Sequence, residues 1–224
     1  ILKLTEGSEC SNGGQCIVIP KSQAFQGNMM GGNYVIFGEV LREALSMKSG
    51  NLSVAANNIG FRMKDELSLT LSPDIQFVIR DFNDPDTYKV SGEIDVAEAK
   101  YKKNFDDGSN NFIREQILSL FIDSKRRVEA YSPSFLRKMP WLGKVNLDVG
   151  VTAENSVNVD VKIATATVEL ELGTQLRIGG TVKEFAPSGI VSINQGVFSL
   201  RDNDFEFQNG AQVTFTGSLD GKID

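Results

Sequence analysis

Hydrophobic and polar residues alternate along much of the chain. The clearest run begins at Lys144, where every second residue is valine or leucine and the residues between are asparagine, aspartate or glycine. A second run, residues 157–163, repeats the pattern with Asn158, Asp160 and Lys162 between its apolar positions. A period of two gives a β-strand one apolar face and one polar face. Both runs are therefore predicted to be half-buried strands.

The alternation shifts by one residue at Ala164-Thr165-Ala166, after which Val168, Leu170 and Leu172 take the apolar positions. We interpret the shift as a bulge or corner that keeps one face inward, because a one-residue slip otherwise turns every side chain over. Glycines separate further short strands downstream. Residues 141–224 are predicted to be all β.

The first 140 residues are more mixed. Alternation over residues 67–71, 75–79 and 90–96 predicts strands. Residues 112–121 have apolar pairs every three to four residues, which indicates a short helix capped by Ser109 or Asn110. Residues 34–47 are ambiguous, since their first part suits a strand and Val40, Leu41, Ala44 and Leu45 suit a helix. We expect residues 1–224 to be one elongated β-rich domain, cut from a longer protein because it starts at Ile1 and stops just after a strand.

Glycines inside two strands predict how the sheet is shaped. Gly92 and the pair Gly179-Gly180 interrupt strands whose alternation continues in phase, and a mid-strand glycine marks a bend or a close backbone approach. A sheet that bends repeatedly curls, with its apolar face inside the curl. Side chains would fill that interior in a small barrel or sandwich, whereas an open trough would leave it for an apolar ligand.

The in-phase apolar residues of the second half are the candidate walls of such a trough, although any single one is equally well explained as an ordinary core residue. Burying each methylene group stabilises by about 0.8 kcal/mol. An open apolar trough would therefore stabilise an apolar guest. An unfolded strand could instead pair with an open sheet edge. The wall candidates are Val145, Leu147, Val149, Val157, Val159, Val161, Leu170, Leu172, Leu176, Ile178, Phe198, Leu200, Phe205, Phe207, Val213 and Phe215.

The two cysteines lie close together, since Cys10 and Cys16 bracket the turn-forming stretch Ser-Asn-Gly-Gly-Gln. A disulfide loop here would indicate an oxidising compartment such as the bacterial periplasm. The alternative is a pair of free thiols in a reducing cytosol.

Composition removes several function classes. A net charge of −6 argues against a nucleic-acid partner, and the absence of histidine removes Ser-His-Asp and Cys-His catalysis. No nucleotide-binding loop or nucleophile motif is present, so we expect no enzyme, no cofactor and no metal. The acidic stretch 81–86 could ligate calcium, but a solvated turn explains it better.

Three stretches together resemble a known family: residues 88–101 (strand, glycine, strand, aromatic residue), residues 145–180 (paired alternating strands ending in Leu-Arg-Ile-Gly-Gly) and residues 188–217. Their order and spacing resemble the C-terminal conserved domain of TamB, the translocation and assembly module subunit, within the AsmA-like superfamily. The resemblance implies a mainly β fold, a curled β-taco or open half-barrel with an apolar concave interior. We add to this one or two short helices from the sequence pattern.

The same resemblance implies a role in outer-membrane biogenesis within the periplasm of a Gram-negative bacterium. The full-length protein would be anchored in the inner membrane. Its groove would hold phospholipid acyl chains, easing their exit from a bilayer, or unfolded outer-membrane protein strands. Its partners would be phospholipid or another acyl-chain ligand and a TamA-like assembly factor of the outer membrane. The alternative from another class is a β-solenoid or sandwich module of an adhesin or carbohydrate-binding protein. That alternative predicts a row of exposed aromatic residues, yet the chain has one tryptophan and four tyrosines, which are scattered.

Overall fold

The computed structural model describes residues 3–6, 15–43, 46–63, 66–104, 139–163, 166–201, 203–207 and 210–217. These residues form thirteen strands and three short 3-10 turns. The strands are β1 Lys3–Glu6, β2 Gln15–Ile19, β3 Phe25–Met29, β4 Gly32–Glu43, β5 Ser46–Asn57, β6 Ile59–Met63, β7 Leu67–Ile79, β8 Tyr88–Asn104, β9 Asn146–Ile163, β10 Ala166–Gly180, β11 Phe185–Leu200, β12 Asn203–Glu206 and β13 Ala211–Thr216. The 3-10 turns are η1 Lys21–Gln23, η2 Pro85–Thr87 and η3 Pro140–Lys144.

All thirteen strands belong to one sheet, in the order β1-β2-β4-β5-β7-β8-β9-β10-β11-β12. Three short strands share an edge of a neighbour with another strand. β2 and β3 both pair with β4, β5 and β6 both pair with β7, and β12 and β13 both pair with β11. The paired strands are antiparallel except β8 and β9, which run parallel. The prediction of a mainly β, curled open sheet is confirmed. A sandwich needs two stacked sheets, and the described strands form only one.

Residues 34–43 lie in β4, so the helical interpretation was wrong for Val40 and Leu41; Ala44 and Leu45 lie outside the described residues. β4 continues to Glu43, and Val40 pairs with Ile17 of β2 on one side and Gly50 of β5 on the other. Hydrogen bonding to strands on both sides overrides the local helical spacing of the apolar residues. The helix predicted over residues 112–121 lies outside the described residues.

The predicted bulge or corner near residue 164 is a reversal of the chain, and the apolar positions stay on one face as expected. β9 ends at Ile163, β10 begins at Ala166, and these two residues are antiparallel partners, so the chain reverses direction between them. A reversal that spans two residues moves the apolar positions from odd to even numbers while keeping them on one face. A register shift lies farther along β10, between Leu172 and Thr174 in its pairing with β9.

Gly92 and Gly189, which lie in mid-strand, adopt backbone conformations that other residues rarely take. Gly92 in β8 has φ +137° and Gly189 in β11 has φ +123°. A Cβ atom on Gly92 would lie 3.0 Å from Ile75 Cα, and one on Gly189 would lie 3.1 Å from Leu176 Cα. The predicted close backbone approach at Gly92 is therefore confirmed. Gly180, by contrast, ends β10 at the turn where the Thr181 amide donates to the Glu184 carbonyl.

The turns at one margin of the sheet are joined to one another. The Tyr88 hydroxyl donates to the Phe82 carbonyl at 2.9 Å, and the Tyr88 ring packs edge-on against Trp141 of η3. Farther along, the Val182 amide donates to the Val145 carbonyl at 3.1 Å. These contacts join the loop after β7, η3 and the β10–β11 turn. We call these three joined segments the rim.

The acidic loop before β8 forms a turn closed by its own side chains. Asp81 Oδ1 accepts from the Asn83 amide at 2.8 Å, and Asp84 Oδ1 accepts from the Asp86 amide at 3.1 Å. These are Asx-type contacts that fix turns. The described residues contain no group of three or more cysteines or carboxylates that could hold a metal ion.

Cys16 in β2 is almost fully buried, and no cysteine in the described segments is a free thiol. Its predicted partner, Cys10, lies outside the described residues. The Cys10–Cys16 bridge therefore stays a prediction.

Candidate functional site: one apolar face of the sheet

Strand pairing gathers the apolar positions of successive strands onto one face. Cα partners in neighbouring strands share a face, and one such row runs from Val54 through Ile75, Gly92 and Val149 to Ile178. Rows on either side of it are similarly rich in valine, leucine, isoleucine and phenylalanine. We call this surface the apolar face.

The opposite face carries charged and amide side chains. Asp148 accepts two hydrogen bonds there. Lys89 Nζ donates to its Oδ2 at 2.9 Å, and Arg177 Nε donates to its Oδ1 at 2.7 Å. Hydrogen bonds from Lys89 and then Arg177 hold the pKa of the Asp148 carboxyl below its ordinary value. The charged and amide side chains of this polar face favour contact with water, whereas the apolar face favours contact with apolar groups.

The predicted wall residues fall on the apolar face, with one exception. Val145 precedes β9, has 1% of its surface exposed and lies beneath the rim, where a wall residue would not be accessible. Its odd number matched the alternation, but the strand begins only at Asn146. The residues on the apolar face are Leu147, Val149, Val157, Val159, Val161, Leu170, Leu172, Leu176, Ile178, Phe198, Leu200, Phe205, Phe207, Val213 and Phe215.

Burial falls from the middle of this face towards the last strands. Val149 is 7% exposed, whereas Leu200 is 41% and Phe205 is 55% exposed. Phe198 and Phe205 stack on each other with ring centroids 6.0 Å apart. Among the described residues, a compact buried cluster forms around Val96, Ala99 and Ala153 in β8 and β9. In the described segments no second layer of structure packs over the apolar face.

A concavity in the second half of the sheet combines apolar and charged groups. It has a volume of about 630 Å³ and includes Val159 and Leu170 from the predicted walls. Lys102, Asp160 and Glu169 also line it. Because charged residues make up much of its border, this concavity is not a purely apolar site.

Two strongly apolar pockets lie in the first half of the sheet, where sequence reasoning placed no wall residue. The first, which we call the Gly50 pocket, has a volume of about 280 Å³. Gly38 and Gly50 leave its floor without side chains, and Phe82 reaches over from the loop after β7. Its apolar side chains are Ile17, Ile19, Val40, Leu52, Phe77, Ile79 and Phe82.

The second, which we call the Ala56 pocket, also lies on β4, β5 and β7 and has a volume of about 310 Å³. Its lining contains one hydroxyl group, that of Tyr34. The lining residues are Met29, Tyr34, Ile36, Val54, Ala56, Ile59, Leu71 and Pro73. Both pockets open on the apolar face, since Val54 and Leu52 alternate with Ser53 on the polar face.

Sequence reasoning missed these pockets because small residues create them. No role was assigned to Gly38 or Gly50 from the sequence, whereas pairing places Gly38 opposite Leu52 and Gly50 opposite Val40. The sequence signal that indicates the first pocket is a glycine at an apolar position, Gly50, in the alternation of residues 50–52. In the structure Gly50 pairs with Ile79, and Leu52 pairs with Phe77.

No helix in the described part of the chain is long and apolar enough to span a membrane. A family model described as the TamB C-terminal domain matches residues 23–223. No curated protein and no solved structure matches the chain.

Proposed function

The chain belongs to the TamB C-terminal domain family, and from this premise we propose that its apolar face holds the acyl chains of phospholipids during envelope biogenesis. Membership supports a TamB-like role in the envelope of Gram-negative bacteria. The family is one of transport and assembly modules rather than enzymes, so the proposed activity is binding and guidance without covalent chemistry.

The observation that carries the proposal is the accessible apolar face. Large side chains such as Phe205 and Met63, at 55% and 53% exposure, lie at its borders. Exposed apolar surface of this extent normally marks a binding site. A guest that buries ten methylene groups there would gain about 8 kcal/mol at about 0.8 kcal/mol each. That gain offsets much of what the chain loses on leaving a bilayer, while a non-directional contact lets it slide.

Outer-membrane protein strands are a second candidate guest. β12 and β13 form one edge of the sheet, and β-strands with unpaired backbone groups attract further strands. We propose that acyl chains use the apolar face and that a strand would use this edge. A TamA-like assembly factor, a periplasmic location and an inner-membrane anchor of the full-length protein complete the proposal.

Lipid captured on the full-length protein tests the proposal. Val159 lies on the apolar face and Asn158, its neighbour in β9, lies on the polar face. We expect a photo-crosslinking residue at 159 or 207 to attach to phospholipid in intact envelopes, detected by mass spectrometry, and one at 158 to remain without lipid. Val159→Arg should lower the lipid that co-purifies by at least tenfold, whereas Asn158→Arg should not.

Two results would count against the proposal. Equal lipid yield from positions 158 and 159 would mean that the apolar face has no special part in binding. Loss of thermal stability in Val159→Arg without any lipid on the parent protein would identify the face as a sealed core.

A further inference from the structure

All five methionines of the chain are exposed. Their exposed fractions run from 41% at Met139 to 61% at Met30. Methionine is among the residues most often found fully buried in folded proteins, because its side chain is apolar. Five exposed methionines out of five therefore depart from the usual distribution, and packing of a core does not account for them.

Three of the five methionines lie close together. Met29 and Ile59 line the same apolar pocket. Met30 follows at the tip of the β3–β4 hairpin, where its carbonyl accepts from the Gly60 amide at 3.1 Å. Met63 is the last residue of β6, about 10 Å along the strand from Gly60. We call Met29, Met30 and Met63 the methionine patch.

Met30 occupies an unusual backbone position. Its φ is +51°, in the left-handed region that glycine and asparagine adopt far more readily than other residues. Either of those residues would form the turn with less strain, so the turn by itself does not explain a methionine at this position. What methionine adds is a long, flexible thioether at the most exposed methionine position of the chain.

The methionine sulfurs are open to an oxidant. In the described segments no cysteine is a free thiol, and Cys16 is almost fully buried. Hydrogen peroxide oxidises a thioether in a two-electron step. A sulfur lone pair forms a bond to one peroxide oxygen while the O–O bond breaks, and the other oxygen takes up the proton of the first and leaves as water. One sulfoxide and one water form from one thioether and one peroxide, so atoms and electrons balance.

We propose that the methionine patch is a site of reversible oxidation, at which peroxide forms the sulfoxides of Met29, Met30 and Met63 and methionine sulfoxide reductases restore the thioethers. A thioether is a weak hydrogen-bond acceptor, whereas the sulfoxide is strongly polar. Oxidation therefore makes an apolar part of the surface polar, and an apolar molecule that covers it must remove the sulfoxides from water. The inference concerns a covalent modification and does not rest on the identity of any guest.

The other two methionines provide a control within the same chain. Met47 pairs with Arg42, about ten residues and about 33 Å along β4 from the hairpin tip. Met139 adjoins η3 at the rim. Both sulfurs should oxidise, but their oxidation should leave the methionine patch apolar. Leucine is the matched replacement at every position, because it is apolar, has a similar volume and carries no sulfur.

The experiment treats the full chain with hydrogen peroxide and follows each methionine by peptide mass spectrometry. Binding of an anilinonaphthalene sulfonate dye reports the exposed apolar surface. The patch sulfurs should oxidise in the folded protein at a rate within about twofold of that in urea. The dye should then bind about tenfold more weakly to the parent and to Met47→Leu/Met139→Leu, and equally well to Met29→Leu/Met30→Leu/Met63→Leu before and after oxidation.

Reduction completes the test. The two methionine sulfoxide reductases, one for each sulfoxide epimer, should restore dye binding to the oxidised parent. Sulfoxides that remain on the folded chain after this treatment would overturn the proposal of a reversible site.

Two further results would also overturn the proposal. Oxidation of the patch more than about tenfold slower in the folded protein than in urea would mean that its sulfurs are shielded. An equal loss of dye binding in the triple leucine variant would place the effect outside the patch. If that variant does not fold, Met30→Leu is compared with Met47→Leu instead. Met30→Leu should retain more dye binding after oxidation, and an equal loss in the two would exclude a special part for the patch.

Discussion

Gly92 offers the sharpest test of how the sheet is bent. The residue lies in the middle of β8, with φ +137°, and pairs with Ile75 of β7 and Val149 of β9. In Gly92→Ala, the new Cβ would lie 3.0 Å from Ile75 Cα and closer still to the Asp74 carbonyl oxygen. Real Cβ atoms do not come so near to backbone, so β7 and β8 must separate or the backbone must rotate.

The expected cost can be estimated from two effects. A residue with a side chain held at such a φ costs about 1–3 kcal/mol, and overpacking against neighbouring backbone costs about 1–3 kcal/mol more. Together they predict a loss of about 2–6 kcal/mol in the free energy of unfolding. For a chain of this length, each kcal/mol lowers the melting temperature by about 2–4 °C. Gly92→Ala should therefore melt roughly 4–24 °C below the parent protein.

The measurement is thermal and urea unfolding followed by far-ultraviolet circular dichroism. Gly179→Ala in β10 is the matched control, because a Cβ there would meet only the Ala186 carbonyl oxygen, at an ordinary 3.7 Å. It should unfold within about 1 kcal/mol of the parent. If Gly92→Ala were as stable as Gly179→Ala, the close approach of β7 and β8 would not exist in solution, and the bend assigned to Gly92 would be refuted.

Two further predictions concern charge and cysteine chemistry. The pKa of Asp148 is lowered in the folded protein by hydrogen bonds from Lys89 and Arg177, so its contribution to stability is present above the unfolded-state pKa of about 3.9 and is lost as the pH falls through the lower folded value. The urea midpoint of the parent protein should therefore fall more steeply between about pH 5 and about pH 2 than that of Asp148→Asn, and parallel curves would contradict this. The predicted Cys10–Cys16 bridge implies that denatured, unreduced protein takes up no iodoacetamide and that two equivalents react after reduction; uptake before reduction would show free thiols.

The sequence predicted the strands well where one face is apolar and the other polar. Leu147, Val149 and Val151 lie on one face of β9, and the residues between them lie on the other. The resemblance to the TamB C-terminal domain was likewise correct. These features are local or are carried by the order of motifs along the chain, so the sequence contains them directly.

Partner choice and absent side chains were much harder to predict. Alternation indicates that Val90 and Leu147 are apolar positions, but it contains no information that makes them parallel partners. The Gly50 pocket exists because Gly38 and Gly50 lack side chains beside Phe77, which requires the register of three strands. Val145 shows the reverse error, since a residue in phase with a strand was assigned to it although the strand starts one residue later.

The parallel pair β8–β9 separates two runs of antiparallel strands. Pairing within each run is local in the sequence, and pairing between the runs is not. Within β4–β8 and within β9–β11, each strand pairs with a neighbour that follows or precedes it closely in the sequence. Contacts across the parallel pair instead join distant residues, such as Lys89 and Asn146. Closing a long chain segment costs entropy before any contact forms, so this seam is slow to assemble. Because the buried cluster of Val96, Ala99 and Ala153 spans the seam, native-state hydrogen exchange should find strong amide protection on both sides of it, in β8 and in β9.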